Sequence, residues 1–148
     1  MKLIRLLAVV SLAAAVMAPA AMSEQSASAP RPTLTVHASR YGKVLFDGRG
    51  FVLYAFTRDH ARSACYGACA KAWPPYFAQR GTLRVGAGVK HSLLGTVRRK
   101  DGRRQVTYAG RPLYYYVGDR SPGQILCQNV DEYGGTWLVV RPSGKLVR

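Results

Sequence analysis

Apolar and β-branched positions recur along the chain with the short spacing of strands. Leu34 and Val36, Lys43 to Phe46, Phe51 to Thr57, Leu83 to Val85, Thr96 to Arg98, Gln105 to Tyr108, Leu113 to Val117 and Trp137 to Arg141 all read as strands. Gly-rich breaks separate them at Gly86-Ala87-Gly88, Asp101-Gly102, Gly134-Gly135 and Pro142-Ser143-Gly144. Asp101-Gly102, set between Val97-Arg98 and Gln105-Val106, is a hairpin signal. Only Ser63 to Trp73, SACYGACAKAW, reads as helix; Ser63 is its candidate cap and Pro74-Pro75 must end it. On a strand, Tyr54 and Phe56 share one face and Leu53 and Ala55 the other. Both faces are apolar, as in a strand covered on both sides.

The pattern repeats. Residues 50–59, GFVLYAFTRD, align with 110–119, GRPLYYYVGD: Gly, Leu, Tyr and Asp coincide, and Phe56 falls opposite Tyr116. Each stretch follows a charged turn containing Gly, and each is followed by a loop and a tryptophan, Trp73 and Trp137. A unit of about 45 residues is short for an independent core. The two units, about 40–80 and 98–141, are therefore expected to bury their apolar faces against each other. The predicted fold is all-β: a single small β-rich repeat domain over 34–148, with one short helix near residues 63–72.

The first 33 residues follow another pattern. Lys2 and Arg5 precede an uncharged apolar run, Leu6 to Ala18, and small residues follow, the order of a secretory signal peptide over 1–23. Cleavage after Ser23 is preferred over cleavage after Ala20, where Pro19 would sit inside the site. The run of about 13 residues is too short to cross a hydrocarbon layer of about 30 Å. Residues 24–33, EQSASAPRPT, are small, polar and Pro-rich, and read as a flexible leader. The expected location is periplasmic or secreted.

Composition narrows the function. The chain has 148 residues, 48% of them hydrophobic, which supports one domain with a core and excludes a disordered chain. No apolar run of membrane-spanning length follows the N-terminus, so no transmembrane segment is expected in the mature chain. Lys and Arg number 22 against 7 Asp and Glu, a net +15, falling to +13 once Lys2 and Arg5 are removed. Seven acidic residues leave little room for a multi-carboxylate metal site.

Leu53-Tyr54-Ala55-Phe56-Thr57-Arg58-Asp59 and Leu113-Tyr114-Tyr115-Tyr116-Val117-Gly118-Asp119 both fit Tyr-x-aromatic-x-x-Asp. Between them stand Cys65-x-Gly67-x-Cys69-Ala70, Trp73-Pro74-Pro75, Leu94-Gly95-Thr96-Val97, Asp101-Gly102 and Gln105-Val106-Thr107-Tyr108, and Gly134-Gly135-Thr136-Trp137 closes the pattern. This arrangement resembles the bacterial secreted-repeat lipoprotein family marked by that motif, over about residues 40 to 144. The resemblance implies an exported, repeat-built protein and brings no biochemical role with it. This chain departs from the family in lacking a lipobox Cys and in carrying Cys127 in its second unit.

The residues themselves allow two readings of the motif. Asp59 and Asp119, just past their strands, can accept backbone N–H groups and fix the turn, which would make Tyr54, Phe56, Tyr114 and Tyr116 a lock for the fold. Alternatively, the paired aromatics and carboxylates line a ligand groove. Cys65 and Cys69, four apart, are the expected disulfide of an exported chain, leaving Cys127 over; a Cys127 bridge to either is the competing arrangement. His60 with Cys65 and Cys69 is a weak candidate for a soft metal. No c-type haem attachment, Gly-x-Ser-x-Gly, His-Glu-x-x-His or phosphate-cradling loop occurs, and His37 and His91 are isolated. No cofactor and no catalytic residues are expected.

Arg98, Arg99, Lys100, Arg103 and Arg104 cluster around the Asp101-Gly102 turn. Such a tip attracts anionic envelope polymers or lipids; an exported chain makes nucleic acid an improbable physiological target. The expectation is an exported, non-enzymatic binding or structural module of the cell envelope with a strongly basic surface. A periplasmic redox or metal-handling protein using the Cys65/Cys69 segment is the alternative. Oligomeric state is not readable from the sequence.

Overall fold

A computed structural model describes residues 33–148; the proposed signal peptide and all but the last residue of the leader lie outside the described residues. The chain is mostly strand with one short helix, as expected. Strands β1 (Leu34–Ser39) and β2 (Gly42–Asp47) form a hairpin. Strand β3 (Tyr54–Phe56) pairs with β8 (Gly135–Val139), which pairs with β7 (Val130–Glu132). Strand β4 (Leu94–Arg98) pairs with β5 (Arg104–Tyr108), which pairs with β6 (Arg111–Pro112). Among the described residues no helix is long and apolar enough to cross a membrane.

The two units are interwoven. Tyr54 and Tyr114 face each other across an antiparallel bridge, and each N–H donates to the other's carbonyl at 2.9 Å. From this centre the bonds run in equivalent pairs. The Leu53 N–H donates to Leu45 O and the Leu113 N–H to Val106 O; the Leu45 N–H donates to Val140 O and the Val106 N–H to Tyr76 O. The tryptophan segments are exchanged: β8 of the second unit lies along β3 of the first, while Pro74 and Ala72 of the first accept from Tyr115 and Val117 of the second.

Period-two alternation divides the core. Val44, Phe46, Val52, Tyr54, Phe56, Trp73, Tyr114, Trp137 and Val139 pack on one side of the strands. Leu45, Leu53, Ala55, Val106, Leu113 and Val140 pack on the other with Leu34 and Tyr108. Trp73 and Trp137 stack at 4.0 Å with planes 3° apart, and the Phe56 ring lies on Trp137 at 4.2 Å. Burying rings of this size is the main apolar stabilisation of a small domain.

Four expectations change. The strand expected over Phe51 to Thr57 is reduced to β3, with Val52 in an isolated bridge to Phe46 and Thr57 in a turn. Helix α1 covers only Ala68–Ala72, because Gly67 before it has φ +57° and a non-helical ψ, and Ser63 turns away to bond elsewhere instead of capping. The stretch 113–117 is no regular strand: Tyr114 forms bridges to Tyr54 and Pro75, Val117 lies in a turn, and its neighbours Pro74 and Pro75 have no N–H to offer a ladder. Of Leu83 to Val85 only Val85 forms a bridge, parallel to Leu34.

Candidate functional site

The repeated motif closes on itself across the two units. The Tyr54 hydroxyl donates to Asp119 Oδ2 at 2.7 Å, and the Tyr114 hydroxyl donates to Asp59 Oδ2 at 2.8 Å. Each carboxylate keeps its other oxygen for its own loop: Asp59 Oδ1 accepts the Ala64 N–H at 2.7 Å, and Asp119 Oδ1 the Leu126 N–H at 2.9 Å. Tyr54 and Tyr114 are fully buried, Phe56, Asp59 and Asp119 are buried, and Tyr116 is half-buried. Burial drives the Asp59 pKa up to about 6 against the pull of the Ala64 N–H and the Tyr114 hydroxyl. Burial also raises Asp119, and it raises both tyrosines far above the ordinary phenol range. Both tyrosines are therefore neutral donors, and the four polar groups are occupied with each other.

The basic hairpin is not one patch. Arg98, Lys100, Arg103 and Arg104 are exposed, but Arg99 is buried. Alternation turns Arg99 inward, where its Nη2 donates to Cys65 O at 2.6 Å and its Nη1 to Gln105 Oε1 at 2.7 Å and to Ser63 Oγ. Its guanidinium lies 4.2 Å from the centroid of Tyr66. Ser63 Oγ and the Tyr114 hydroxyl are 2.7 Å apart, so hydrogen bonds run from Arg99 through Ser63 and Tyr114 to Asp59. Arg99 is thus an internal strut. The tip itself is a tight loop: the Arg99 N–H donates to Arg103 O, and Gly102 takes φ +81°. Arg98 and Arg104 are direct cross-strand partners.

Cys65 and Cys69 are joined in a disulfide, and Cys127 is free and half-buried. Burial raises the Cys127 thiol pKa, which leaves it a poor nucleophile. Disulfide sulfurs are not thiolate ligands, so His60, Cys65 and Cys69 do not form a metal set in this state. Among the described residues no group of three His, Cys, Asp or Glu comes together.

A feature that sequence reasoning missed is a cleft of about 800 Å³ bounded by the turn after β2, the segment Pro75–Arg84 and Tyr115. Asp47 supports its wall. Burial opposes ionisation of Asp47, but donation from Phe51 N–H, the Arg49 guanidinium, the Tyr115 hydroxyl and Arg49 N–H holds it below the usual carboxylate range. Arg49 and Tyr115 also line a second depression of about 260 Å³ with Phe51, Pro74 and Tyr116. Nothing in the local sequence marks this place, because it gathers residues from 33 to 115.

A family model described as a secreted repeat of unknown function matches residues 35–76 and 95–141, more than half of the chain. The chain belongs to that family of secreted repeats, and the two matches coincide with the two interwoven units. No curated protein and no solved structure matches the chain.

Proposed function

We propose that this protein is an exported, non-enzymatic module of the cell envelope that holds itself to anionic lipid or lipopolysaccharide surfaces through its basic hairpin. Removal of residues 1–23 would deliver it to the periplasm or beyond. The observation that carries the reading is the arrangement of the tip. Arg98 and Arg104 stand directly opposite each other in the β4–β5 register, with Lys100 and Arg103 exposed beside them. Like charges opposed on a sheet cost stability. Asp101 offsets only Arg103, at 3.2 Å on the surface. An anionic surface relieves the repulsion that folding leaves in place. The motif supports the non-enzymatic part, since its titratable groups are spent on one another.

The test is sedimentation with vesicles containing anionic lipid, or with lipopolysaccharide, across a salt series. Wild type should bind at low salt and release steeply as salt rises, through return of condensed counter-ions. Changing Arg98, Arg103 and Arg104 to Gln and Lys100 to Gln should abolish most of the binding. Equal binding by the two proteins would reduce the tip to a solvated surface.

A further inference from the structure

The internal two-fold relation identifies which residues the fold itself requires. Needs shared by both units are met by equivalent residues, as with the crossed Tyr–Asp bonds. The cleft is a place where the core positions of the two units diverge. Tyr115 occupies the position of Ala55, since its N–H donates to Pro74 O as Ala55 pairs with Leu138. Tyr76 occupies the position of Val140, since each carbonyl accepts from the matching strand, Val106 or Leu45. Ala55 and Val140 are small, buried members of the core. Their counterparts are large rings, 5.2 Å apart edge to face, in the wall of an open cleft.

Arginines surround these rings. Arg49 spans Asp47 and the Tyr115 hydroxyl through Nε and Nη2, and Nη1 makes no hydrogen bond among the described residues. Arg80 and Arg84 are exposed along the same cleft. Asp47, the acidic residue lining it, is buried and fully engaged, so the open face of the cleft is cationic. Aromatic walls with a few fixed guanidinium groups suit a ligand with flat C–H faces and anionic substituents. We propose that this cleft binds an acidic polysaccharide: its sugar rings lie against Tyr76 and Tyr115, and its carboxylates pair with Arg49, Arg80 and Arg84. The site adjoins the hairpin, since the Arg103 guanidinium lies 3.6 Å from the Phe77 ring centroid and the Ala78 N–H donates to Arg104 O, but Arg98 and Lys100 do not line it.

Titration with oligogalacturonate, followed by two-dimensional NMR and calorimetry, tests the assignment against a neutral glucan oligomer and an oligothymidylate of similar length. Resonances of Tyr76, Tyr115 and the Arg49 guanidinium should shift with the acidic oligomer and not with the neutral one. The exposed pair Arg80→Gln/Arg84→Gln should weaken binding about tenfold. The hairpin variant Arg98→Gln/Lys100→Gln, which spares the arginines beside Phe77 and Ala78, should stay within about threefold of wild type, which keeps this site distinguishable from the tip. Unchanged affinity in the Arg80/Arg84 variant, shifts confined to the hairpin, or tighter binding of oligothymidylate through the same residues would each overturn the proposal.

Discussion

Asp59 sits at the end of a buried chain of hydrogen bonds from Arg99 through Ser63 and Tyr114. Losing a donor from a buried carboxylate costs about 1–3 kcal/mol. Its raised pKa makes a signed prediction. In the unfolded chain the group titrates near 3.8 and in the fold near 6, so the protonated form favours folding. Its contribution is complete below pH 3.8 and is lost as pH rises through about 6. Asp59→Asn should therefore differ from wild type in a pH-dependent way. The gap between their urea midpoints should shift in favour of the variant as pH rises from 4 to 7. Asp47 moves oppositely, since hydrogen bonds from Phe51, Arg49 and Tyr115 outweigh its burial; its stabilisation is lost only as pH falls through its depressed pKa.

Among the elements, the disulfide loop and the basic hairpin hold each other. The carbonyl of Cys65 accepts from Arg99, and the Tyr66 hydroxyl accepts the Lys100 N–H at 3.2 Å. A bond closing so short a loop adds roughly 2 kcal/mol through the unfolded chain. Changing Cys65 and Cys69 together to Ser should lower unfolding free energy by about that amount. It should also speed amide exchange at Arg99 and Lys100 more than in β8, which hydrogen-exchange mass spectrometry would resolve. Equal protection in the hairpin would mean that the loop does not brace it. Period-two patterning and the Asp101-Gly102 turn predicted this hairpin, but Arg99 was expected in the exposed basic cluster and is buried instead. Patterning gave no sign that Arg99 would be buried with Ser63, Gln105 and Cys65, residues that only folding brings there. The helix is shorter than the sequence suggests for a local reason, as Gly67, with positive φ and a ψ far from any helix, starts it late.

The repeats exchange strands, so the molecule as a whole is expected to unfold as one cooperative unit. β3 pairs with β8, Tyr115 with Pro74, and each motif tyrosine with the other repeat's aspartate. Apart, β3 loses β8, Tyr115 loses Pro74, and Tyr54 and Tyr114 lose each other. Fragments 33–92 and 93–148 should each show no cooperative unfolding by circular dichroism, while an equimolar mixture should regain it. A fragment that folds alone would contradict the interwoven arrangement.

The chain's alternation, its glycine breaks and its duplicated motif were enough to determine an all-β repeat domain of a secreted-repeat family with apolar cover on both strand faces. Those properties are local or periodic, so a linear reading reaches them. The Cys65–Cys69 pairing was legible for the same reason, since the two residues lie four apart. Tertiary structure alone decided that each tyrosine bonds the other unit's aspartate, that Arg99 leaves the basic cluster, and that Tyr76 and Tyr115 open a cleft where Ala55 and Val140 close the core. These depend on which distant segments meet, and two chemically similar repeats can meet within themselves or by exchange. Burial and the geometry of a few hydrogen bonds make that choice, and neither is written in the order of residues along the chain.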